Sequence, residues 1–225
     1  MEQRKIIGDT EAVAIYKNDD NYVYLSLKRM IDFVLACIGL ILLLPVFIVI
    51  AIFYLFGKNK GPLFFAHKRV GKNGRYFNIY KFRTMIVNAE EKLKSDKDLY
   101  EKFVENGYKL ETDEDPRITN FGRFLRKTSI DELPQLINVL LGNMSLVGPR
   151  PIIEEELKEY KNHKQEFLSV KPGVTGYWQV SGRSDVGYPE RVDLELYYVQ
   201  NKSLLFDLKI LFKTFYTVIM QKGAY

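Results

Sequence analysis

The densest chemistry in this 225-residue sequence lies between Asp115 and Pro151. It reads Asp115-Pro-Arg-Ile-Thr, Gly122-Arg-Phe-Leu-Arg-Lys, Thr128-Ser-Ile-Asp-Glu-Leu-Pro-Gln-Leu and Ser145-Leu-Val-Gly-Pro-Arg-Pro. Pro134 sits comfortably in a helix only in the first turn, so a helix is expected over residues 129–141 with Ser129 or Asp131 as its cap. The adjacent carboxylates Asp131 and Glu132 then stand at the positive helix end. Unpaired N–H groups there keep a carboxylate ionised and attract phosphate, which suits an aspartate that attacks phosphorus. Two neighbouring carboxylates can divide the work: Asp131 as nucleophile, Glu132 as ligand to a divalent ion, with oxygen ligands of this kind suiting Mg²⁺. Arg150, held between Pro149 and Pro151, would present a rigid fork to phosphate oxygens. A purely structural reading of the same residues is a Ser-x-x-Glu capping box.

These groups need elements to hold them. Between Gly57 and Ala89 stand eight Lys or Arg and no acidic residue, a density that reads as a surface facing anionic lipid and phosphate. Within it, two β-like runs flank a Gly-Lys-Asn-Gly turn and predict a short hairpin over residues 61–82. Residues 90–115 then carry ten acidic and five basic side chains around spaced apolar positions, as a solvated helix and loop would. A further helix is expected over 152–167, opened by Glu154-Glu155-Glu156. Near the C-terminus, Leu204, Leu205, Leu208, Leu211, Phe212, Phe215 and Ile219 recur at helical spacing; such a helix covers the core or lies in a membrane interface, the core being preferred.

Before all of these comes an apolar segment. Phe33 to Phe56 is 24 residues without a charge, about 36 Å as a helix against a bilayer core of about 30 Å. Pro45 interrupts it, and both flanks are basic: Lys28 and Arg29 before, Lys58 and Lys60 after. If positive charge stays cytoplasmic at both ends, the chain enters the membrane, bends near Pro45 and returns, which makes a re-entrant, monotopic anchor. An ordinary kinked transmembrane helix is the alternative. Asp32, just before the segment, is expected to pair with Lys28 or Arg29. The fold class that follows is α+β and mainly helical: a lead-in over 1–27, a re-entrant helix-hairpin over 28–57, and a small cytoplasmic catalytic domain over 58–225 with a short β-hairpin and amphipathic interfacial helices.

Composition agrees with a single core plus an anchor. Thirty-three basic against 28 acidic residues give +5, a mild excess that suits an anionic partner. The single cysteine, Cys37, excludes a disulfide framework and cysteine-based metal motifs.

Taken in order, the motifs resemble the bacterial sugar transferase family, the small monotopic phosphoglycosyl transferases that initiate surface-glycan assembly. The likeness is carried by Lys28-Arg-Met-Ile-Asp32, Gly61-Pro-Leu-Phe-Phe, Arg69-Val-Gly-Lys-Asn-Gly, Tyr80-Lys-Phe-Arg-Thr-Met85, Arg117-Ile-Thr and Gly122-Arg-Phe-Leu-Arg126. Most specific are Ser129-Ile-Asp-Glu-Leu-Pro-Gln-Leu136, Val147-Gly-Pro-Arg-Pro151, Lys171-Pro-Gly-Val-Thr-Gly176 and Trp178-Gln-Val-Ser-Gly-Arg183. The resemblance implies that Asp131 attacks the β-phosphate of a UDP-sugar and expels UMP, leaving an aspartyl-linked phosphosugar. It implies that Glu132 binds Mg²⁺ and that undecaprenyl phosphate takes the phosphosugar in a second step. Arg150 matches the family's phosphate-binding arginine, and Lys81, Arg83, Arg117 and Arg183 are further basic candidates. An active site at the cytoplasmic face of the bacterial inner membrane is implied, serving the first membrane step of capsule, exopolysaccharide, O-antigen or glycoprotein synthesis. Many members have Ser-Pro at the helix break where this chain has Leu44-Pro45. With one apolar segment the chain resembles the minimal catalytic form; a homo-oligomer is compatible with it, and the sugar is left open.

Two rival classes make different products. A tethered module binding anionic lipid or nucleic acid through residues 57–89 releases no nucleotide and leaves Asp131 and Glu132 without a purpose. A glycosyltransferase releases UDP and needs more strands than this sequence offers. The reading adopted has no nucleic-acid partner; its partners are the UDP-sugar, undecaprenyl phosphate and membrane lipids.

Overall fold

A computed structural model describes residues 22–105, 110, 113–182 and 186–219. The apolar segment forms one long helix, α1 (Tyr22–Phe53), which continues through Pro45. It is long and apolar enough to cross a membrane, and only 11% of its most apolar window is buried in the protein. Ile41 and Leu42 are each 71% exposed, an apolar surface that water does not favour. Asp32 does not pair with Lys28 or Arg29. Its Oδ2 accepts from Ser145 Oγ at 2.7 Å and its Oδ1 from the Leu146 N–H at 3.0 Å, while Lys28 pairs with Asp207 at 2.8 Å. The cost of burying Asp32 is thus offset by two donors from a distant strand.

The expected hairpin is present, as β1 (Phe64–Val70) and β2 (Tyr76–Phe82). Its turn uses Asn73 at φ 58° and Gly74 at φ 72°, the left-handed pair that an Asn-Gly sequence supplies at low cost. The acidic stretch forms α2 (Ala89–Ser95) and α3 (Lys97–Glu105), and α4 (Asn120–Lys127) follows. The helix expected over 129–141 is shorter and broken: residues Ile130–Glu132 form a 3₁₀ turn, and α5 (Gln135–Leu140) begins only after Pro134. Beyond α5 come β3 (Ser145–Val147), a 3₁₀ stretch over Glu155–His163, α6 (Lys164–Phe167), β4 (Gly173–Thr175) and α7 (Tyr177–Ser181). The single helix expected over 152–167 is therefore split, at Lys161 with φ 43°. α8 (Glu190–Asn201) and α9 (Leu204–Ile219) are the last described elements. Among the described residues the fold is mainly helical, with two small two-stranded sheets.

The chain divides into two compact units, one built from residues up to 42, 66–80 and 135–223, the other mainly from 43–65 and 81–134. In the first, β3 and β4 pair in parallel, Ser145 opposite Gly173 and Val147 opposite Thr175. An apolar core of Ala36, Ile79, Val139, Met144, Val147, Tyr198 and Ile210 surrounds them. Asp207, buried, ties three helices together by accepting from Lys28 of α1 and from the Tyr198 hydroxyl of α8 at 2.7 Å. Only one stripe of α9 is used this way. Leu205, Phe212 and Phe215 are 70% or more exposed, so the core does not cover that helix's apolar side.

In the second unit, Ile50, Tyr54, Phe82 and Leu125 form the core, with Phe47, Leu63, Phe121, Ile130 and Leu133 packed against it. Arg83 fastens its loop: the guanidinium donates to the carbonyls of Pro62 (2.9 Å), Met85 (2.5 Å) and Asn59, and lies over the Tyr54 ring.

Candidate active site

The Asp131-Glu132 turn is set by what precedes it. Thr119 caps α4 by accepting from the Gly122 N–H at 2.9 Å. Gly122 lets this helix lie against the chain at Thr84, since a Cβ there would stand 2.0 Å from the Thr84 carbonyl oxygen. α4 ends at Thr128, and Ser129 takes the left-handed conformation (φ 57°, ψ 15°) usually given to glycine after a helix. Ser129 occupies the N-cap position of the 3₁₀ turn that follows, but its side chain makes no capping bond there. A left-handed residue without glycine costs about 1–2 kcal/mol, a strain that tends to gather at functional sites. The turn that follows is pinned on both sides, because Ile130 and Leu133 pack into the apolar core and leave Asp131 and Glu132 between them.

Asp131 is 8% exposed. Burial pushes its carboxyl up to about 6, with Glu132 pushing the same way, while Lys81 and Arg126 pull it down. Glu132 is more open, and Lys81 Nζ, from β2, lies 2.6 Å from its Oε1. Arg126, in the last turn of α4, donates Nε to Thr84 Oγ1 at 3.0 Å. A buried carboxylate with a raised proton affinity, a second carboxylate beside it and two cations at hand set this turn apart from an ordinary helix start. Burial outweighs the lowering by Lys81, Arg126 and a backbone N–H, so the Asp131 carboxyl is raised where a helix-end field alone would lower it.

Of the sequence candidates, Asp131, Glu132 and Lys81 come together. Arg117 is buried in the same unit and bound to Asp115 through two hydrogen bonds, Nε to Oδ1 at 2.8 Å and Nη2 to Oδ2 at 2.7 Å. The carboxyl of Asp115 is held below its ordinary range, the Arg117 guanidinium outweighing burial. Arg83 and Arg117 are thus each engaged by groups of their own unit, carbonyls in one case and Asp115 in the other. Arg150 belongs to the other unit. Its N–H donates to Glu195 at 3.1 Å, and its guanidinium carbon stands 5.7 Å from the centre of the Trp178 ring, which Arg191 also faces at 4.5 Å. Arg183 lies outside the described residues. Arg126 is the site residue that sequence reasoning did not select; the signal available was a cation at the C-terminal end of α4, five positions before Asp131.

Among the described residues no group of three or more His, Cys, Asp or Glu gathers as an all-protein metal cage would. The donor set at Asp131 and Glu132 fits Mg²⁺ in its usual mode, in which one or two carboxylates share the ion with substrate phosphates.

Known proteins with this sequence pattern carry related names. Residues 23–221 match the family described as bacterial sugar transferase. The chain is 47% identical over 202 residues to the undecaprenyl-phosphate galactose phosphotransferase of Salmonella typhimurium, an alignment covering 88% of this chain and 42% of that protein. It is 37% identical over 221 residues to the UDP-glucose:undecaprenyl-phosphate glucose-1-phosphate transferase of Escherichia coli, covering 95% of this chain and 44% of that protein. In both cases it spans less than half of the relative's length. The exopolysaccharide production protein ExoY of Sinorhizobium fredii is 45% identical, with 88% of each chain covered. The chain belongs to the bacterial sugar transferase family.

Proposed function

We propose that this protein transfers a sugar-1-phosphate from a UDP-sugar to undecaprenyl phosphate by way of an aspartyl intermediate. The observation that carries the reading is the buried Asp131 carboxyl, raised to about 6 and set between Glu132, Lys81 and Arg126. At neutral pH this group is largely ionised yet poorly solvated, which is what a carboxylate nucleophile needs. An Asp131 oxygen attacks the β-phosphorus; the bond from that phosphorus to the oxygen bridging it to the α-phosphate breaks, and UMP leaves with the electron pair. The acceptor's phosphate oxygen then attacks the same phosphorus and frees the Asp131 carboxylate. Lys81 and Arg126 offset charge on the transferred group, and Arg150 is assigned to phosphate. Mg²⁺, held by Glu132 together with substrate oxygens, would neutralise the diphosphate.

The names of the relatives above support this donor and acceptor and a place in surface-polysaccharide synthesis. The basic residues on both sides of the apolar segment support a re-entrant anchor with a kink at Pro45 and an active site on the cytoplasmic face of the inner membrane. In a Cys37→Ser background, cysteines at Tyr22 and Lys60 are expected to be labelled from the same side; labelling from opposite sides would make α1 a spanning helix.

The catalytic reading is tested with purified protein, undecaprenyl phosphate, Mg²⁺ and a panel of UDP-sugars. UMP release and a labelled phosphosugar adduct are expected, and Asp131→Asn is expected to lose both. Release of UDP, or full activity in Asp131→Asn, defeats it.

A further inference from the structure

In the first unit two cations flank one point, and neither makes an ion pair with a carboxylate among the described residues. Arg29, on α1, donates Nη1 to the Val139 carbonyl at 2.6 Å and Nη2 to the Leu140 carbonyl at 2.9 Å, which fixes its guanidinium at the end of α5. A methyl group placed on Gly142 would lie 3.5 Å from Arg29 Nη2 and 3.7 Å from Lys171 Nζ, so both cationic groups flank one point. Lys171 is half-buried and has no hydrogen bond or ion pair among the described residues. Burial, Arg29 and Lys72 all lower its proton affinity, and Asp32 opposes them only in part. Asp32 acts on Lys171 only through its field: its oxygens accept from Ser145 and Leu146, and it makes no ion pair with Lys171. Two like charges held this close at a half-dry site repel one another unless an anion joins them.

Arg29 also lines a shallow groove of about 550 Å³ with Tyr22, Leu25, Ser26, Met30 and Phe33. These positions form one stripe of α1, and the guanidinium stands 5.7 Å from the Phe33 ring centre. From Phe33 onward the helix carries no charge to its end. A free anion would use the cations and ignore the groove; an amphiphile uses both. Arg29 and Lys171 carry two positive charges against the single negative charge of Asp32, which leaves about one unit to offer and matches a singly charged phosphodiester.

We propose that Arg29 and Lys171 bind the phosphodiester headgroup of an anionic glycerophospholipid whose acyl chains run along the α1 groove. The bound lipid holds the start of α1 against α5 at the level of the headgroups. This binding needs no turnover, so it stands or falls separately from the role of Asp131.

The test uses the full chain in phosphatidylcholine nanodiscs containing a small fraction of spin-labelled phosphatidylglycerol or, in parallel, spin-labelled phosphatidylcholine. The motionally restricted fraction of each label measures selectivity. The wild type is expected to favour phosphatidylglycerol, and Lys171→Gln to lose about fivefold of that preference, the worth of one basic residue at an anionic surface. Lys171→Arg is expected to keep it, and so is the exposed-site control Lys209→Gln. Equal restriction of the two labels in the wild type, or an undiminished preference in Lys171→Gln, overturns the proposal. An equal loss in Lys209→Gln overturns it in favour of diffuse charge. Displacement of the label by excess inorganic phosphate, or by an equimolar amount of polyprenyl phosphate, overturns it in favour of a free-anion or acceptor site.

Discussion

Replacing Asp131 by asparagine removes a charge that the fold buries and changes little of the shape. The carboxyl is 8% exposed and binds its proton at about 6 against an ordinary 3.8. At ~1.4 kcal/mol per tenfold in proton affinity, the ionised side chain withholds about 3 kcal/mol of stability from the folded protein. The sign follows from proton counts. Between pH ~4 and ~6 the folded chain holds more of the proton than the unfolded chain, so stability falls as pH rises through that window; the loss is complete above it and absent below. Asp131→Asn is therefore expected to be more stable than wild type at pH 7.5, by about 1–3 kcal/mol once relaxation around the new amide is allowed for. At pH 4 the two proteins should unfold alike. Equilibrium unfolding in detergent micelles, followed by far-ultraviolet circular dichroism at both pH values, measures the difference. Glu132→Gln is the comparison, because Glu132 is more exposed and its change should be small. If Asp131→Asn is no more stable than wild type at pH 7.5, or gains equally at pH 4, desolvation does not set the character of this carboxyl. A variant that is both more stable and inactive is the expected signature of a residue kept for chemistry at the expense of stability.

Three further outcomes follow from the geometry. Lys81→Met removes the cation that most lowers the Asp131 proton affinity, so the acid limb of the pH–rate profile should move to higher pH, with roughly tenfold less activity near pH 6. Gly122→Ala would drive a methyl group to 2.0 Å from the Thr84 carbonyl oxygen, and the resulting shift of α4 should cost about 2 kcal/mol or more, outweighing the ~1 kcal/mol of helix propensity gained; thermal unfolding measures it. Asp32→Ala leaves the Ser145 hydroxyl and the Leu146 N–H without their acceptor and should lower stability by about 2–4 kcal/mol in the same assay.

Features written in short stretches of sequence were legible in advance. Asn73-Gly74 announces its turn because those two residues tolerate positive φ, and the spacing of Leu204, Leu208, Leu211 and Phe215 announces α9 because a helix repeats every 3.6 residues. The Asp131-Glu132 pair was also visible, but its local setting was misread. Ser-x-x-Glu suits a helix cap, yet Ser129 turns left-handed to end α4 and Glu132 bonds to a lysine 51 positions earlier. Arg83 and Arg117 stand in the sequence only as basic candidates; that one bonds to carbonyls and the other to Asp115 is a tertiary fact composition cannot show.

What the sequence by itself determined is what depends on nearest neighbours: the charge-free span of α1, the hairpin turn, the helical spacing of α9, and the order of motifs that places the chain in its family. Tertiary structure alone decided that Asp131 is buried between Ile130 and Leu133, that Lys81 and Arg126 reach it, and that Asp32 finds its donors 113 and 114 positions away. The physical reason is that dihedral preference and periodicity act within a few residues. Desolvation and charge pairing depend on which distant segments exclude water together, and those interactions give the Asp131 carboxyl its character.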